Sequence, residues 1–161
     1  MGNLHIFIKP YFTHKTVPLN PTKKGMSPTN SSGQILFGED DLDEVDFLKE
    51  IFESINPGYS LLFVNSGKKL ITSLAGMEDH FLPKLIVLDY NMPELNGVEI
   101  LRVLKSDPRY QSIPTIIWST SGSEYYRKLC LDSGAQDYII KPSSIKDLES
   151  AVKHFLSYCS A

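Results

Sequence analysis

The sequence predicts an α/β fold in which a doubly wound, five-stranded parallel sheet is covered by helices on both faces. Two observations lead to this prediction. Short apolar runs alternate five times with helical patterns along the chain, an order typical of parallel sheets with right-handed crossover helices. The apolar run at residues 85–88 has no polar alternation, which indicates a strand that is buried on both faces.

Each predicted strand is followed by a helical pattern, in which apolar residues recur on one face of a helix. The strands are predicted at residues 35–37, 61–64, 85–88, 115–118 and 138–140. The helices are marked by Val45, Leu48 and Phe52, by Leu70 and Leu74, by Val98, Leu101 and Leu104, by residues 124–133, and by Leu148, Val152 and Phe155. Gly134 is predicted to cap the fourth helix at its carboxyl end.

The chain of 161 residues is long enough for one folded domain and a tail. Residues 1–33 contain prolines, lysines and a run of small polar residues, a composition typical of an extended segment. We therefore predict an N-terminal extension over residues 1–33, either flexible or added ahead of a natural start at Met26, and a single domain over residues 34–161. The apolar residues 4–12 would fit an edge strand or a contact with a partner. Because the chain ends soon after the fifth helix, we expect output through protein contacts.

The distribution of charge argues against some partners. Four of the 16 basic residues lie in residues 1–33, which leaves 12 basic against 19 acidic side chains in the predicted domain. A phosphate backbone is bound by clustered lysine and arginine, so this domain is not expected to bind nucleic acid. No apolar run approaches the roughly 20 residues of a membrane span, and Cys130 and Cys159 have no metal or redox spacing. The sequence thus predicts a cytoplasmic protein that does not contact membranes.

Polar residues follow the predicted strands at the positions where parallel strands end. Glu39 and Asp40 follow the first strand, and Asp89, Ser119 and Lys141 follow the third, fourth and fifth. Because the carboxyl ends of parallel strands meet at one edge of the sheet, we expect these side chains to share one rim. Neighbouring carboxylates repel one another unless a cation neutralises them, and Mg²⁺ is a hard ion that prefers oxygen ligands. The sequence therefore predicts a Mg²⁺ site, in which Mn²⁺ could substitute.

The predicted ligands are the carboxylates of Asp40 and Asp89 and the backbone carbonyl of Asn91, with Glu39 reaching the ion through water. A carboxylate beside a cation, with a lysine and a hydroxyl opposite, is suited to receive a phosphoryl group. Asp89 is the predicted nucleophile, which would form an acyl phosphate. Phosphoryl transfer depends mainly on positioning and on neutralisation of charge, which Lys141 and Ser119 would supply.

Five separated elements together fit the signature of one protein family. Gly38-Glu-Asp-Asp41 supplies an acidic pair after the first strand, and residues 89–97 fit the pattern D-x-x-M-P-x-x-x-G. Ser119, Tyr138 and the pair Lys141-Pro142 follow at the ends of the fourth and fifth strands. With these elements the chain resembles the response-regulator receiver domains of two-component signalling, over about residues 34–158. It looks like a single-domain, chemotaxis-regulator-like member, and residues 104–109 also resemble regulators paired with phytochrome-type histidine kinases.

The resemblance implies a flavodoxin-like strand order of 2-1-3-4-5 and a signalling function. It implies that Asp89 accepts a phosphoryl group from a sensor histidine kinase or a histidine phosphotransfer protein, with slow hydrolysis as the reset. Ser119 and Tyr138 would then switch the surface formed by helix 4, strand 5 and helix 5, which would bind partners or a second copy of the protein. A cis peptide bond before Pro142 is also implied, which would aim Lys141 into the site. The protein would be a phosphoacceptor domain and not an enzyme with an external substrate.

Three alternatives remain open. A haloacid-dehalogenase-type phosphatase also uses an aspartate after a strand together with Mg²⁺, but it has a second acid two residues later, where this chain has Asn91. A flavodoxin-type cofactor binder would need a phosphate-binding loop after the first strand, where residues 39–41 are acidic. A receiver-like adaptor would work without phosphorylation. Residues 39–41, taken alone, would also fit the acidic amino end of a helix.

Overall fold

The centre of the molecule is a parallel sheet of five strands. A computed structural model of the chain describes residues 32–160, so the apolar residues 4–12 and nearly all of the predicted extension lie outside the described part. The strands are β1 (Gly33–Gly38), β2 (Tyr59–Val64), β3 (Leu85–Asp89), β4 (Thr115–Ser119) and β5 (Asp137–Ile140). Their order across the sheet is β2-β1-β3-β4-β5, which confirms the predicted fold class.

Helices cover both faces of this sheet. They are α1 (Leu42–Ile55), α2 (Gly67–Gly76), α3 (Gly97–Ser106), α4 (Glu124–Asp132) and α5 (Ile145–Cys159). A short 3-10 helix, Asp79–Phe81, precedes β3 and was not predicted. Within residues 32–160, none of the helices combines the length and the hydrophobicity that crossing a bilayer requires.

The central strand β3 separates two apolar layers. Ile86 and Leu88 face the layer beneath α2, α3 and α4, whereas Leu85 and Val87 face the layer beneath α1 and α5. This division follows from the geometry of a strand, in which successive side chains point to opposite faces. All four side chains are buried, as the continuous apolar run predicts.

Aromatic side chains fill the layer beneath α1 and α5. The ring of Phe155 on α5 lies 5.3 Å from that of Trp118 and 6.1 Å from that of Phe37, both in edge-on contact. Phe37 also stacks on Phe63 at 4.9 Å. Burial of each such side chain contributes about 1.5–3 kcal/mol to stability, so this layer fixes α5 against the sheet.

Two boundaries show how backbone contacts extend the predicted elements. β1 begins at Gly33, inside the predicted extension, because Gly33 pairs with Tyr59 and the Ser32 N–H donates to the Gly58 carbonyl at 2.8 Å. α4 ends at Asp132, and Gly134 follows with a φ of 101°. This left-handed conformation favours glycine and explains the predicted cap.

The register of the strands aligns their carboxyl ends. Gly38 pairs with Leu88, and Asp89 pairs with Trp118 on the neighbouring strand. Ser119 pairs with Ile140, the residue that precedes Lys141. Residues that follow β1, β3 and β5 therefore emerge at the same rim of the sheet.

Candidate functional site

The rim at the carboxyl ends of the strands brings the predicted site residues together. The Lys141 Nζ lies 2.9 Å from Glu39 Oε2, although 102 residues separate the two in the sequence. The same Nζ lies 2.9 Å from Asp89 Oδ2. The folded sheet thus places the ends of its first, third and fifth strands around one ammonium group.

Glu39, Asp40 and Asp89 form an acidic cluster on this rim. One carboxylate oxygen from each residue lies within 4.8 Å of the others. Glu39 and Asp89 are buried, whereas Asp40 is exposed. Because Mg²⁺ and similar hard cations prefer carboxylate oxygens at close spacing, this donor set fits a divalent cation.

Lys141 is surrounded by carboxylates. Its Nζ lies 2.7 Å from Glu44 Oε2, in addition to the two contacts at 2.9 Å with Glu39 and Asp89. An ammonium group has three N–H donors, one for each of these acceptors. Burial lowers the pKa of Lys141, but the charges of Glu39, Asp89 and Glu44 outweigh it and raise that pKa above the ordinary range. Lys141 is therefore a cation at neutral pH.

Glu39 is the most buried acid of the site, with 2% of its surface exposed. One of its oxygens accepts a hydrogen bond from the Asp41 N–H at 3.0 Å, while the other contacts Lys141. Burial raises the pKa of Glu39 to about 8; the Lys141 ammonium opposes this shift, and the charges of Glu44 and Asp89 add to it. Without a metal ion, the Glu39 carboxyl therefore keeps its proton to a higher pH than an exposed glutamate does.

The loop between β3 and α3 fixes the orientation of Asp89. Asp89 Oδ1 accepts a hydrogen bond from the Asn91 N–H at 2.9 Å, which leaves Oδ2 facing Lys141. The chain then returns to the sheet, where the Gly97 N–H donates to the Tyr90 carbonyl at 3.0 Å. A Cβ atom at Gly97 would lie only 3.2 Å from the Cα of Tyr90, so glycine permits this close return.

Ser119 and Tyr138 are linked through the backbone of Ser121. Ser119 is fully buried, and its Oγ accepts a hydrogen bond from the Ser121 N–H at 3.1 Å. The Tyr138 hydroxyl, on a side chain that is 2% exposed, donates to the Ser121 carbonyl at 2.7 Å. The Lys141 N–H donates to the Ser119 carbonyl at 2.7 Å. The two predicted switch residues thus both bond to the backbone of Ser121 in the β4–α4 loop, and the side chain of Tyr138 is buried.

Comparison with known proteins identifies the family. The response regulator receiver domain matches residues 35–153 of the chain. The chain belongs to this family. The chemotaxis protein CheV2 of Helicobacter pylori is 29% identical over 136 residues, which cover 84% of this chain and 42% of CheV2. This receiver domain therefore spans less than half the length of that relative.

Two solved structures of receiver proteins share the fold. The phosphorylated cyanobacterial phytochrome response regulator RcpA has a TM-score of 0.69 and 25% identity, over 78% of this chain and 94% of RcpA. The Mn²⁺-bound form of the response regulator Rcp1 has the same TM-score and identity, over 78% of this chain and 92% of Rcp1. These similarities confirm the predicted family, with relatives among both chemotaxis proteins and phytochrome-associated regulators.

One prediction for the receiver site is wrong. Residues 32–160 contain no cis peptide bond, so the bond between Lys141 and Pro142 is trans. The Lys141 side chain reaches Asp89 from this trans backbone. The two isomers of a bond before proline differ by only about 0.5–1 kcal/mol, so the residue types alone did not determine which one forms.

Glu44 is the site residue that sequence reasoning missed. It lies in the first turn of α1, whose N-cap Asp41 accepts hydrogen bonds from the backbone N–H groups of Asp43 and Glu44. Helical spacing gave no signal for Glu44, because Asp40 precedes the N-cap Asp41 and lies outside the helix. The alternative interpretation of residues 39–41 as helix-capping acids applies to Asp41, whereas Glu39 and Asp40 belong to the acidic cluster.

Proposed function

We propose that this receiver domain accepts a phosphoryl group on Asp89, from a sensor histidine kinase or a histidine phosphotransfer protein, and acts as a response regulator. The main support is the 2.9 Å contact between Asp89 Oδ2 and the Lys141 ammonium, beside a cluster of acids that fits a divalent cation. The bond from the Asn91 N–H holds the other oxygen of Asp89. The carboxylate is therefore positioned before a donor arrives.

In the proposed reaction, a carboxylate oxygen of Asp89 attacks the phosphorus atom of a phosphohistidine. The new P–O bond forms while the P–N bond breaks, and the imidazole leaves and takes up a proton from water, so that Asp89 becomes an acyl phosphate. Negative charge spreads over three phosphoryl oxygens in the transition state. Lys141 and the Ser119 hydroxyl donate hydrogen bonds to these oxygens. A bound Mg²⁺ ion, for which Mn²⁺ could substitute, would neutralise the charge that remains.

The cation would be held by Asp40, Asp89 and the backbone carbonyl of Asn91, with Glu39 contacting it through water. The cluster geometry supports the three carboxylates of this set. Because Glu39 and Asp89 already contact Lys141, these two acids must be shared between the cation and the ammonium. Magnesium affinity therefore depends on where the ammonium lies.

Asn91 supports a signalling domain over a phosphatase. Its side chain is an amide, so it cannot act as the general acid that a turnover phosphatase would need two residues after the nucleophile. The acyl phosphate on Asp89 would therefore persist and be removed by slow hydrolysis. Asn91 and Ser121 each lie two residues after a site residue and would flank the path of the attacking water.

Phosphorylation would be read out through Ser119 and Tyr138. The Ser119 hydroxyl would move toward the new phosphoryl oxygens and displace Ser121, to which Tyr138 is also bonded. The population would then shift between two packings of the surface formed by α4, β5 and α5. Partner proteins, or a second copy of the domain, would bind this surface in the cytoplasm. We assign the function to the domain predicted over residues 34–161, to which β1 adds Gly33, and the remaining N-terminal residues to an extension.

Acetyl phosphate and Mg²⁺ provide a test that needs no kinase. The wild-type protein should gain the mass of one phosphoryl group in intact-mass measurements, while Asp89→Asn should gain none. Asp132→Asn is a matched control, because Asp132 is an exposed aspartate on α4 that pairs with Lys128 away from the site. An adduct that survives in Asp89→Asn would reject Asp89 as the acceptor.

A further inference from the structure

Glu44 contacts Lys141 without being part of the acidic cluster. Its Oε2 lies 2.7 Å from the Lys141 Nζ, the shortest of the three contacts that this ammonium makes with carboxylates. Among the described residues, the acids close enough to hold one cation are Glu39, Asp40 and Asp89. In the described part of the chain, Glu44 therefore contacts the ammonium but does not belong to the set of acids that could hold the cation.

A divalent cation in the cluster would weaken the other two contacts of Lys141. The cation would attract the carboxylates of Glu39 and Asp89, and it would repel the nearby ammonium. We propose that Glu44 is a positioning residue, which keeps the Lys141 ammonium beside Asp89 while a divalent cation is bound. The inference rests on the proposed function, because the ammonium is needed there for the phosphoryl group that Asp89 would receive.

The local structure fixes Glu44 in a place suited to this role. The N-cap Asp41 accepts hydrogen bonds from the backbone N–H groups of Asp43 and Glu44 and so organises the first turn of α1, and α1 packs against α5. Glu44 is only 22% exposed and Lys141 only 9%, so both side chains are held in the protein and partly shielded from water. A charged hydrogen bond in such surroundings is stronger than an exposed one.

A second explanation predicts an opposite result. If Glu44 acted only as a negative charge near the site, its removal would reduce the repulsion of an anionic phosphodonor and accelerate phosphorylation. That effect would not depend on Lys141. The sign of the change and its dependence on Lys141 therefore distinguish positioning from simple repulsion.

Four variants test the proposal in the full-length protein. Glu44→Ala removes the contact, whereas Glu44→Gln keeps an oxygen that can accept from the ammonium. Asp43→Ala is the matched control, because it removes an exposed acid from the same helical turn. Glu44→Ala combined with Lys141→Ala shows whether the effect acts through the lysine.

The first readout is the initial rate of phosphorylation by acetyl phosphate with Mg²⁺. Glu44→Ala should slow the reaction by about threefold to tenfold, as expected for the loss of one charged hydrogen bond. Glu44→Gln should slow it less, and Asp43→Ala should stay within about twofold of wild type. Adding Glu44→Ala to Lys141→Ala should change nothing further. The proposal would be overturned if Glu44→Ala slowed the reaction by less than threefold or accelerated it. It would also be overturned if Glu44→Ala slowed the reaction equally in the Lys141→Ala background.

The second readout does not require phosphorylation. In the presence of Mg²⁺, reductive methylation of the Lys141 amine, followed by peptide mass spectrometry, should be several-fold faster in Glu44→Ala than in wild type or Asp43→Ala. Equal rates would refute positioning. If Lys141 becomes more reactive as expected while wild type accepts no phosphoryl group, the proposed function fails and the positioning of Lys141 stands.

Magnesium affinity separates a positioning residue from a metal ligand. Calorimetric titration with Mg²⁺ should give an affinity for Glu44→Ala within about fivefold of wild type, because Glu44 lies outside the cluster and would act on the ion only as a nearby charge. A larger loss would make Glu44 a ligand of the cation and would overturn the assignment.

Discussion

The buried carboxyl of Glu39 should make the metal-free protein less stable as the pH rises. Its pKa is about 8 in the folded protein, against an ordinary value of 4.5. Between these two values the unfolded chain has released its proton while the folded protein retains it, so folding is favoured less with each step in pH. The contribution is fully present below the ordinary pKa and is lost as the pH rises through the folded value.

The size of the effect follows from the width of this window. One proton gives a slope of at most about 1.4 kcal/mol per pH unit. From pH 6 to pH 8, the free energy of unfolding should therefore fall by about 2 kcal/mol through Glu39 alone. The burial of Glu39, with 2% of its surface exposed, means that solvent screening does not remove this contribution.

Urea denaturation in EDTA at pH 6 and pH 8 measures this loss. Glu39→Gln removes the titrating group, so its stability should fall by about 2 kcal/mol less than that of wild type over the same range. Glu53→Gln changes an exposed acid on α1 and should leave the wild-type dependence unchanged. Saturating Mg²⁺ should flatten the wild-type slope, because a cation favours the ionised carboxylate. Parallel profiles for wild type and Glu39→Gln would show that the pKa of Glu39 does not change on folding.

Three further substitutions test the packing around the site by urea denaturation. Glu94 has a φ of 70°, a left-handed conformation that favours glycine, so Glu94→Gly should raise the free energy of unfolding by about 0.5 kcal/mol; a decrease would contradict this. Tyr138→Phe removes the hydroxyl that donates to the Ser121 carbonyl and should cost about 1 kcal/mol, whereas a neutral result would mean that the bond adds no stability. Phe155→Ala empties a fully buried position and should cost about 3–5 kcal/mol; a cost below about 1 kcal/mol would show that the aromatic layer does not hold α5.

The parts of the fold that the sequence predicted are those determined by side-chain burial. The continuous apolar run of β3 indicated a strand covered on both faces, and its side chains divide between two core layers. The start of β1 at Gly33 depends instead on backbone pairing with Tyr59, which leaves no pattern in side-chain polarity. The three-residue helix Asp79–Phe81 is too short to show helical periodicity.

Within the site, too, some features follow from the sequence pattern and others depend on contacts that form only in the folded protein. Glu39, Asp89 and Lys141 were predicted to converge because the carboxyl ends of parallel strands meet at one edge. Glu44 was missed because its contact with Lys141 joins positions 97 residues apart and depends on how α1 lies over the end of β5. The prediction of a cis peptide bond before Pro142 was wrong. The cis and trans forms differ little in energy, so the residue types did not determine which one forms.

The proposed function requires that the phosphoryl group is bonded to the carboxylate of Asp89. Borohydride reduces an acyl phosphate to an alcohol and leaves free carboxylates intact, so it marks the phosphorylated aspartate permanently. After incubation with acetyl phosphate and Mg²⁺, borohydride treatment and digestion, peptide mass spectrometry should find homoserine in place of Asp89, and only when the phosphodonor was present. Unchanged Asp89 in a protein that has gained a phosphoryl group, or homoserine at another aspartate, would exclude Asp89 as the acceptor.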